Sequence, residues 1–467
     1  MTNIPARTLL AMTIACALQS PVHAAGFALI ENSASGMGNA FAGAAAVAED
    51  ASTAWFNPAG MAELGDGTHL SAAGHIIVPQ ADFTNKGSWV NPALTGGNLT
   101  QAQAALTGKN DSGGKTAFVP NSYAVRRIND HLTAGVSINA PFGLETNYDD
   151  DWIGRYNALD SAMQTINVNP SLAYEINEQL TFGAGLNAQY INVELGSAID
   201  SAAACRSIAG AANSGDLLLT CLNALPTLAN SATDSQVTIS GDDISFGYNL
   251  GAMYKPNPAT KVGFSYRSAI DHQLEGDADY KVNAALQPVL TATGITRFND
   301  VKVTAEANLP ATTSISVAHK LNDTVELLGD VTHTGWSSFE RLTVKNAQTG
   351  ALVTDVNESW EDVFRYSVGA NYQYNDRIKL RGGLAIDKTP IPNAKLRTPR
   401  TPDTDRTWVA VGANYQLNKG MSLDLGYAHL FMDQTPIDNT SEDNGYAVRG
   451  LYDSSVDILS AQLNMSF

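Results

Sequence analysis

The chain has 467 residues, 44% of them hydrophobic, and a formal net charge of −18. That length would hold two or three soluble domains. The excess of acidic over basic side chains, 46 against 28, argues against nucleic acid as a partner.

In chain order, the first element is an export signal. Arg7 is the only charge before residue 23, and TLLAMTIACAL, residues 8–18, is an apolar run too short to span a bilayer. Pro21 ends the run, and Val22-His23-Ala24 suits a signal peptidase, so residues 1–24 are expected to be removed. Cys16 offers a lipoprotein alternative, but Thr13-Ile14-Ala15 makes a poor lipobox. No later stretch reaches the roughly 20 apolar residues of a membrane helix.

Residues 25–67 are rich in Gly, Ala and Ser and lack a strand period. Gly36, Gly38 and Gly43 faintly imitate a dinucleotide fingerprint. No strand leads into them, the third glycine is misspaced and no βαβ unit follows. Small residues let short helices pack closely in a confined space. Asn57-Pro58 fits a chain reversal, since Asn bonds its own backbone and Pro fixes φ.

From residue 68 the period becomes two. In DILSAQLNMSF, Leu459, Ala461, Leu463, Met465 and Phe467 share one face, and Ser460, Gln462, Asn464 and Ser466 the other. FGYNLGAMY, FRYSVGANYQY, IKLRGGLAI, WVAVGANYQL and MSLDLGYAHLF repeat the pattern. Fourteen strands are predicted, at 68–83, 118–128, 132–139, 161–176, 180–195, 235–256, 260–282, 299–321, 324–345, 359–374, 378–388, 406–418, 421–434 and 455–467. Tight polar turns, such as Asn129-Asp130-His131 and Asn375-Asp376-Arg377, alternate with long loops such as 84–117, 196–234 and 388–405. Short turns on one side and long loops on the other describe a closed, all-β, 14-stranded antiparallel outer-membrane barrel over residues 68–467, apolar outside and polar within. Residues 25–67 then form a small helical plug in its lumen.

Cys205 and Cys221 bracket one loop and read either as a disulfide, in an oxidising compartment, or as two free thiols. Leu217, Leu218, Leu219 and Leu222 in that loop, with Leu286 and Leu290 in the next, suggest an apolar capture groove or a self-packed loop. Arg267, Arg365 and Arg381 fall on the lumenal face, where each could meet a carboxylate or pair with a lumenal acid. Asp149-Asp150-Asp151 and the acids at 433–457 lie outside, either as a solvated surface or holding divalent cations with lipopolysaccharide. No cofactor or metal site is expected.

ALIENSASGMGNAFAGAAAVAEDASTAWFNPAGMAEL closely resembles the N-terminal hatch of the FadL-type outer-membrane transporters, a family that includes long-chain fatty-acid carriers and TodX-like aromatic-hydrocarbon channels. APFGLETNYDDDWIGRY, residues 140–156, resembles the family's segment at the third strand. The resemblance implies hydrophobic ligands caught among the outer loops, passed to a pocket lined by the N-terminus, and released sideways through a gap at a kinked third strand. Carried over, Ala25, Gly26 and Phe27 would contact the pocket. Asn57, Pro58 and Ala59 would shape the hatch, and Pro141, Phe142 and Gly143 would form the kink. The kink also has a direct reason, because Pro cannot donate to a ladder and Gly weakens a strand.

Two other functions compete. A general porin would need an open lumen. An outer-membrane lipase would need a Ser/His/acid grouping, whereas His319, His333 and His429 are scattered and no G-x-S-x-G stretch occurs.

Overall fold

One device builds all six tight turns. In the computed structural model, which describes residues 26–440 and 445–467, each turn is closed by an Asn side chain. Asn129, Asn177, Asn322 and Asn375 accept from the backbone N–H groups two and three residues on, and Asn257 and Asn418 from the one two residues on. An Asx turn imitates a backbone turn and tolerates tight reversal. The last turn, expected at 419–420 between the predicted strands 406–418 and 421–434, begins one residue earlier, at Asn418.

The turns join fourteen antiparallel strands. They are β1 (Thr68–Asn85), β2 (Ala117–Arg127), β3 (Leu132–Asn139, then Gly143–Asn147), β4 (Asp160–Asn177) and β5 (Leu180–Ile199). β6 is Ser235–Asn257, β7 is Thr260–Arg267 with Ile270–Lys281, β8 is Val301–Leu309 with Thr312–Lys320, and β9 is Val325–Thr334 with Arg341–Asn346. β10 is Leu352–Asn357 with Val363–Asn375, followed by β11 (Ile378–Asp387), β12 (Arg406–Asn418), β13 (Met421–Met432) and β14 (Val448–Ser466). β14 pairs with β1 from Ser466↔His69 to Gly450↔Asn85, which closes the barrel and leaves no sheet edge in lipid.

Side-chain parity decides which face meets lipid. Leu186, Phe246, Val368 and Tyr374 point outward and are each more than 60% exposed, while their lumenal neighbours Asn187, Ser367 and Asn371 are buried. Tyr174, Phe182, Tyr254, Tyr374, Tyr415 and Phe467 stand exposed close to the short turns. They form the aromatic girdle of one membrane interface.

Residues 26–67 fill the lumen as short helices: α1 (Ala34–Met37), α2 (Ala44–Val47), α3 (Thr53–Phe56) and a 3₁₀ turn, Pro58–Leu64. Asn57 caps that turn by accepting from Ala59 N–H at 3.0 Å, and its amide donates to Ala45 O at 2.7 Å and to Ala252 O of β6 at 3.0 Å. The wall makes room with glycine. A Cβ on Gly383 would sit 2.0 Å from Asn39 O, and one on Gly263 2.0 Å from Ala45 O. Lumenal glycine is thus where hatch backbone lies against wall backbone.

Three predicted strands are interrupted and a fourth begins late. Breaks at 268–269, 310–311, 335–340 and 358–362 fall on the consecutive strands β7 to β10. At the last two, Trp336, Phe339 and Trp360 turn inward and are buried. Ser359 takes φ +43° to do so, a conformation few side chains adopt. The strand expected over 324–345 is broken here and the one expected over 359–374 begins only at Val363, because the intervening residues turn these rings into the core. β14 also starts at Val448 rather than 455.

Candidate functional site

Pro141 has no N–H, and β3 loses its register there. Pairing with β4 runs to Asn139↔Asn167 and resumes at Gly143↔Gln164, so residues 140–142 face only 165 and 166. On the other side, β2 pairs with β3 only as far as Ser122↔Ile138. Above that point the two strands diverge, and the wall has a gap.

The N-terminal tail seals it. Leu29 N–H donates to Pro141 O at 2.8 Å, Gly143 N–H donates to Phe27 O at 2.8 Å, and Ala28 bridges Phe142 as a short antiparallel strand. Thr165 Oγ1 accepts from Phe142 N–H at 2.9 Å and donates to Phe142 O at 2.7 Å. The Pro141 carbonyl, both backbone groups of Phe142 and the Gly143 N–H are therefore taken up, in keeping with what membrane depth requires. Below the gap, Asn139 amide donates to Asn32 Oδ1 at 2.9 Å and to Tyr123 OH at 2.7 Å, and Asn121 amide donates to Glu31 O at 2.9 Å. These bonds tie the hatch to β2 and β3.

Phe27 is 1% exposed, with its ring centroid 4.7 Å from Trp336, 5.2 Å from Phe339 and Trp360, and 6.2 Å from Phe142. These are favourable aromatic separations. Gly26 sits at φ +61°, and a Cβ there would lie 2.5 Å from the Trp360 ring, so only glycine fits. Ala25 and the export signal lie outside the described residues.

Beside this cluster is a cavity of about 160 Å³. Its walls are Ala28 to Ile30, Phe41 and Phe56 of the hatch, Pro141 and Phe142 of the kink, and Ile270, Leu309, Pro310 and Trp336 at the wall breaks. Four charged residues, Arg267, Arg365, Asp330 and Asp387, also line it.

The three sequence-predicted arginines part company. Arg267 is spent on Asn187 Oδ1 (2.5 Å) and Trp55 O (2.8 Å), and stacks 3.5 Å over the Trp55 ring. Arg381 does not line the cavity. It is buried between Glu49 of the hatch and Asp424, the latter at 2.8 Å, so two carboxylates already use it for docking the hatch. Arg365 lines the cavity and donates one N–H, to Ala40 O at 2.9 Å, leaving Nε and Nη1 without partners. Glu49 is held down at about 2: burial opposes its charge, but Arg381 and Lys379 outweigh it. Glu31 is fully buried with no other residue hydrogen-bonded to its carboxylate, and burial pushes it up to about 7 against the pull of its own backbone N–H, Arg406 and Arg365.

Outside, Cys205 and Cys221 are bridged, with Cα atoms 5.7 Å apart. The bridge joins α4 (Ser201–Ala211) to α5 (Gly215–Ala224). Leu286 and Leu290, on the next loop, are buried against this pair together with Ile208, Leu225 and Phe298. They belong to the loops' own core and are not groove surface. Leu217 is partly buried, while Leu218, Leu219 and Leu222 remain exposed on α5. Asp149 and Asp151 each pair with Lys109 at 3.0 Å.

Sequence reasoning missed three features. Arg155 joins three outer segments, at Thr107 O (2.7 Å), Ala229 O (2.6 Å) and Asp234 (2.7 Å). The ring cluster of Trp336, Phe339 and Trp360 was hidden by reading two strands as unbroken, although Gly335-Trp336-Ser337-Ser338 breaks the alternation. Asp403, in loop 388–405, accepts from Gly26 N–H at 3.0 Å, and no local pattern marks it.

The family model described as "Outer membrane protein transport protein (OMPP1/FadL/TodX)" matches residues 15–467. The chain is 30% identical over 433 residues to the long-chain fatty acid transport protein of Escherichia coli strain K12, covering 90% of this chain and 91% of that protein. It superposes on the crystal structure of a Pseudomonas aeruginosa FadL homologue with TM-score 0.81 and 25% identity, covering 95% and 100% of the two chains. The Ralstonia pickettii toluene transporter TbuX shares the fold, with TM-score 0.59, 19% identity and coverage of 89% and 94%. A match spanning nearly the whole sequence, on a closed barrel plugged by its own N-terminal segment, places the chain in the OMPP1/FadL/TodX family of outer-membrane transporters for hydrophobic compounds.

Proposed function

We propose that the chain takes up long-chain fatty acids passively, holds them in the lumenal cavity, and releases them into the bilayer through the gap beside β3. The observation that carries this reading is the position of the cavity. It is bounded on one side by tail residues 28–30 and at one end by Pro141 and Phe142, so moving the tail both enlarges it and opens it toward lipid. Lateral release suits an apolar chain, which gains about 0.8 kcal/mol per CH₂ on leaving water and so avoids the aqueous periplasm. Leu218, Leu219 and Leu222 offer the first apolar contact outside. The unpartnered Nε and Nη1 of Arg365 favour a carboxylate ligand over a plain hydrocarbon, in keeping with the name of the Escherichia coli relative.

The test is competition against a fluorescent fatty acid on purified mature protein, begun after Ala24, with and without Gly26-Phe27. Saturable displacement by oleate, weakened by the truncation, supports the reading. Displacement by toluene alone sinks it in favour of an aromatic-hydrocarbon channel.

A further inference from the structure

Loop 388–405 connects β11 to β12 yet reaches the opposite wall. Arg400 donates to Asp160 O and to Ser161 Oγ of β4, both at 2.9 Å, and Pro399 O accepts from Tyr148 OH at 2.9 Å. The loop is therefore pinned to the strand that partners the upper half of β3, and to Tyr148 just beyond β3. Between these ends its residues are largely buried, among them Thr398, Thr401, Asp403 and Thr404.

Asp403 is the point at which this loop meets the hatch. Its Oδ2 accepts from Gly26 N–H at 3.0 Å and from Thr389 Oγ1 at 2.7 Å, its Oδ1 pairs with Arg406, and its carbonyl accepts from Arg397 Nε at 2.8 Å. Thr389 and Arg406 fix the carboxylate, so the position of the oxygen that meets Gly26 is set by the loop and the first residue of β12. Gly26 lies one residue before Phe27, whose carbonyl closes the gap at Gly143. A single outer loop thus touches the tail, β4 and the segment following β3.

We propose that Asp403 is the latch of the lateral gate: loop 388–405 holds Gly26 through it, and displacement of the loop from outside frees the tail from the kink. Asp403 is a positioning residue that acts through the tail and not on the ligand. The proposal rests on the lateral-release reading above, and it extends that reading by naming the outer element that controls release. A hydrophobic ligand entering between the outer loops must pass this loop to reach the cavity, which gives capture a mechanical route to opening.

The test uses the full mature chain with one added cysteine, Ala28→Cys, whose labelling by a maleimide reports how often the tail leaves the gap. Cys205 and Cys221 are bridged and do not compete. Asp403→Ala is expected to speed labelling roughly tenfold, the loss of one buried charge-assisted hydrogen bond. Asp403→Asn keeps one acceptor but loses the charge and sets an amide NH2 against Arg406, so it is expected to label at a rate between the parent and Asp403→Ala. If Asp403→Ala does not assemble, Asp403→Glu keeps the charge but shifts the acceptor by one methylene, and is likewise expected to label faster. Barrel integrity is read separately from heat-modified gel migration. Labelling of Asp403→Ala, or of Asp403→Glu in its place, at the parent rate in a folded barrel overturns the latch. Oleate uptake by the parent is measured in parallel: its absence counts against the transport reading, whereas the labelling rates judge the latch alone.

Discussion

Two buried charges with missing partners carry the residue-scale expectations. Arg365 lines the cavity, and its Nε and Nη1 are buried without a hydrogen bond. Replacing it with Met keeps the bulk and removes the charge. Arg365→Met is expected to weaken oleate binding at least tenfold, since a charge-assisted bond contributes on the order of 1.5–3 kcal/mol, and to leave toluene binding unchanged, both read by competition. Equal loss for both ligands would mean that the residue serves packing alone. Glu31 gives a pH dependence with a definite sign. Its folded value of about 7 lies above the ordinary 4.5, so the seated hatch holds a proton that the released segment gives up. Seating is then strongest below pH 4.5 and weakens as pH rises toward 7, by a total of about 3 kcal/mol. Hydrogen exchange of hatch amides, corrected for the intrinsic pH effect, is expected to be better protected at pH 5 than at pH 8. In Glu31→Gln the difference should vanish.

At the scale of elements, the outer loops are separable from the wall. The Cys205–Cys221 bridge closes 16 residues of chain and anchors a core of its own, with Leu286 and Leu290 inside it. Chain entropy puts such a closure at about 3 kcal/mol. Cys205→Ser with Cys221→Ser is expected to expose residues 206–224 to proteolytic nicking while heat-modified migration of the barrel stays unchanged; loss of barrel assembly would show the loop core to be part of the folding unit. How much of each element was legible follows from the range of the forces that shape it. Strands and Asx turns are set by neighbours one to three residues apart, so parity placed Arg267, Arg365 and Arg381 in the lumen and Asn129 in a turn. Pro141 and Gly143 marked the kink because backbone chemistry is local. The partners of those arginines were not legible, since Glu49 and Arg381 are brought together only by closing the barrel around the hatch. The same holds for Asp403, 377 positions from Gly26. Leu286 and Leu290 misled because an apolar residue in a loop looks the same whether it faces solvent or a second loop.

For the whole molecule, the decisive contrast is between a plugged transporter and an open porin. A fourteen-stranded barrel has a lumen wide enough for water unless it is filled. Here residues 26–67 fill it: Met37, Ala40, Phe41, Ala54, Ala59 and Met61 are all fully buried. Wall glycines bring hatch and barrel backbones into contact at Gly383 and Gly263, which leaves no continuous water path at those points. Loop 388–405 adds a second layer across the outer end. The intact protein in a planar bilayer is therefore expected to show little steady ion conductance, and deletion of residues 26–64 to give large, stable channels. The wall itself should survive the deletion, because β1 to β14 pair in a closed ring without any hatch residue. What would be lost are the tail bridge at Ala28↔Phe142 and the side-chain ties between hatch and wall, such as Glu49 with Arg381 and Asn57 with Ala252, and not the ladder between strands. The deletion removes both the conductance block and the tail-lined cavity, so oleate binding should fall as conductance rises. Large conductance in the intact protein, unchanged by the deletion, would instead mean that water passes around the hatch, and the porin reading would return.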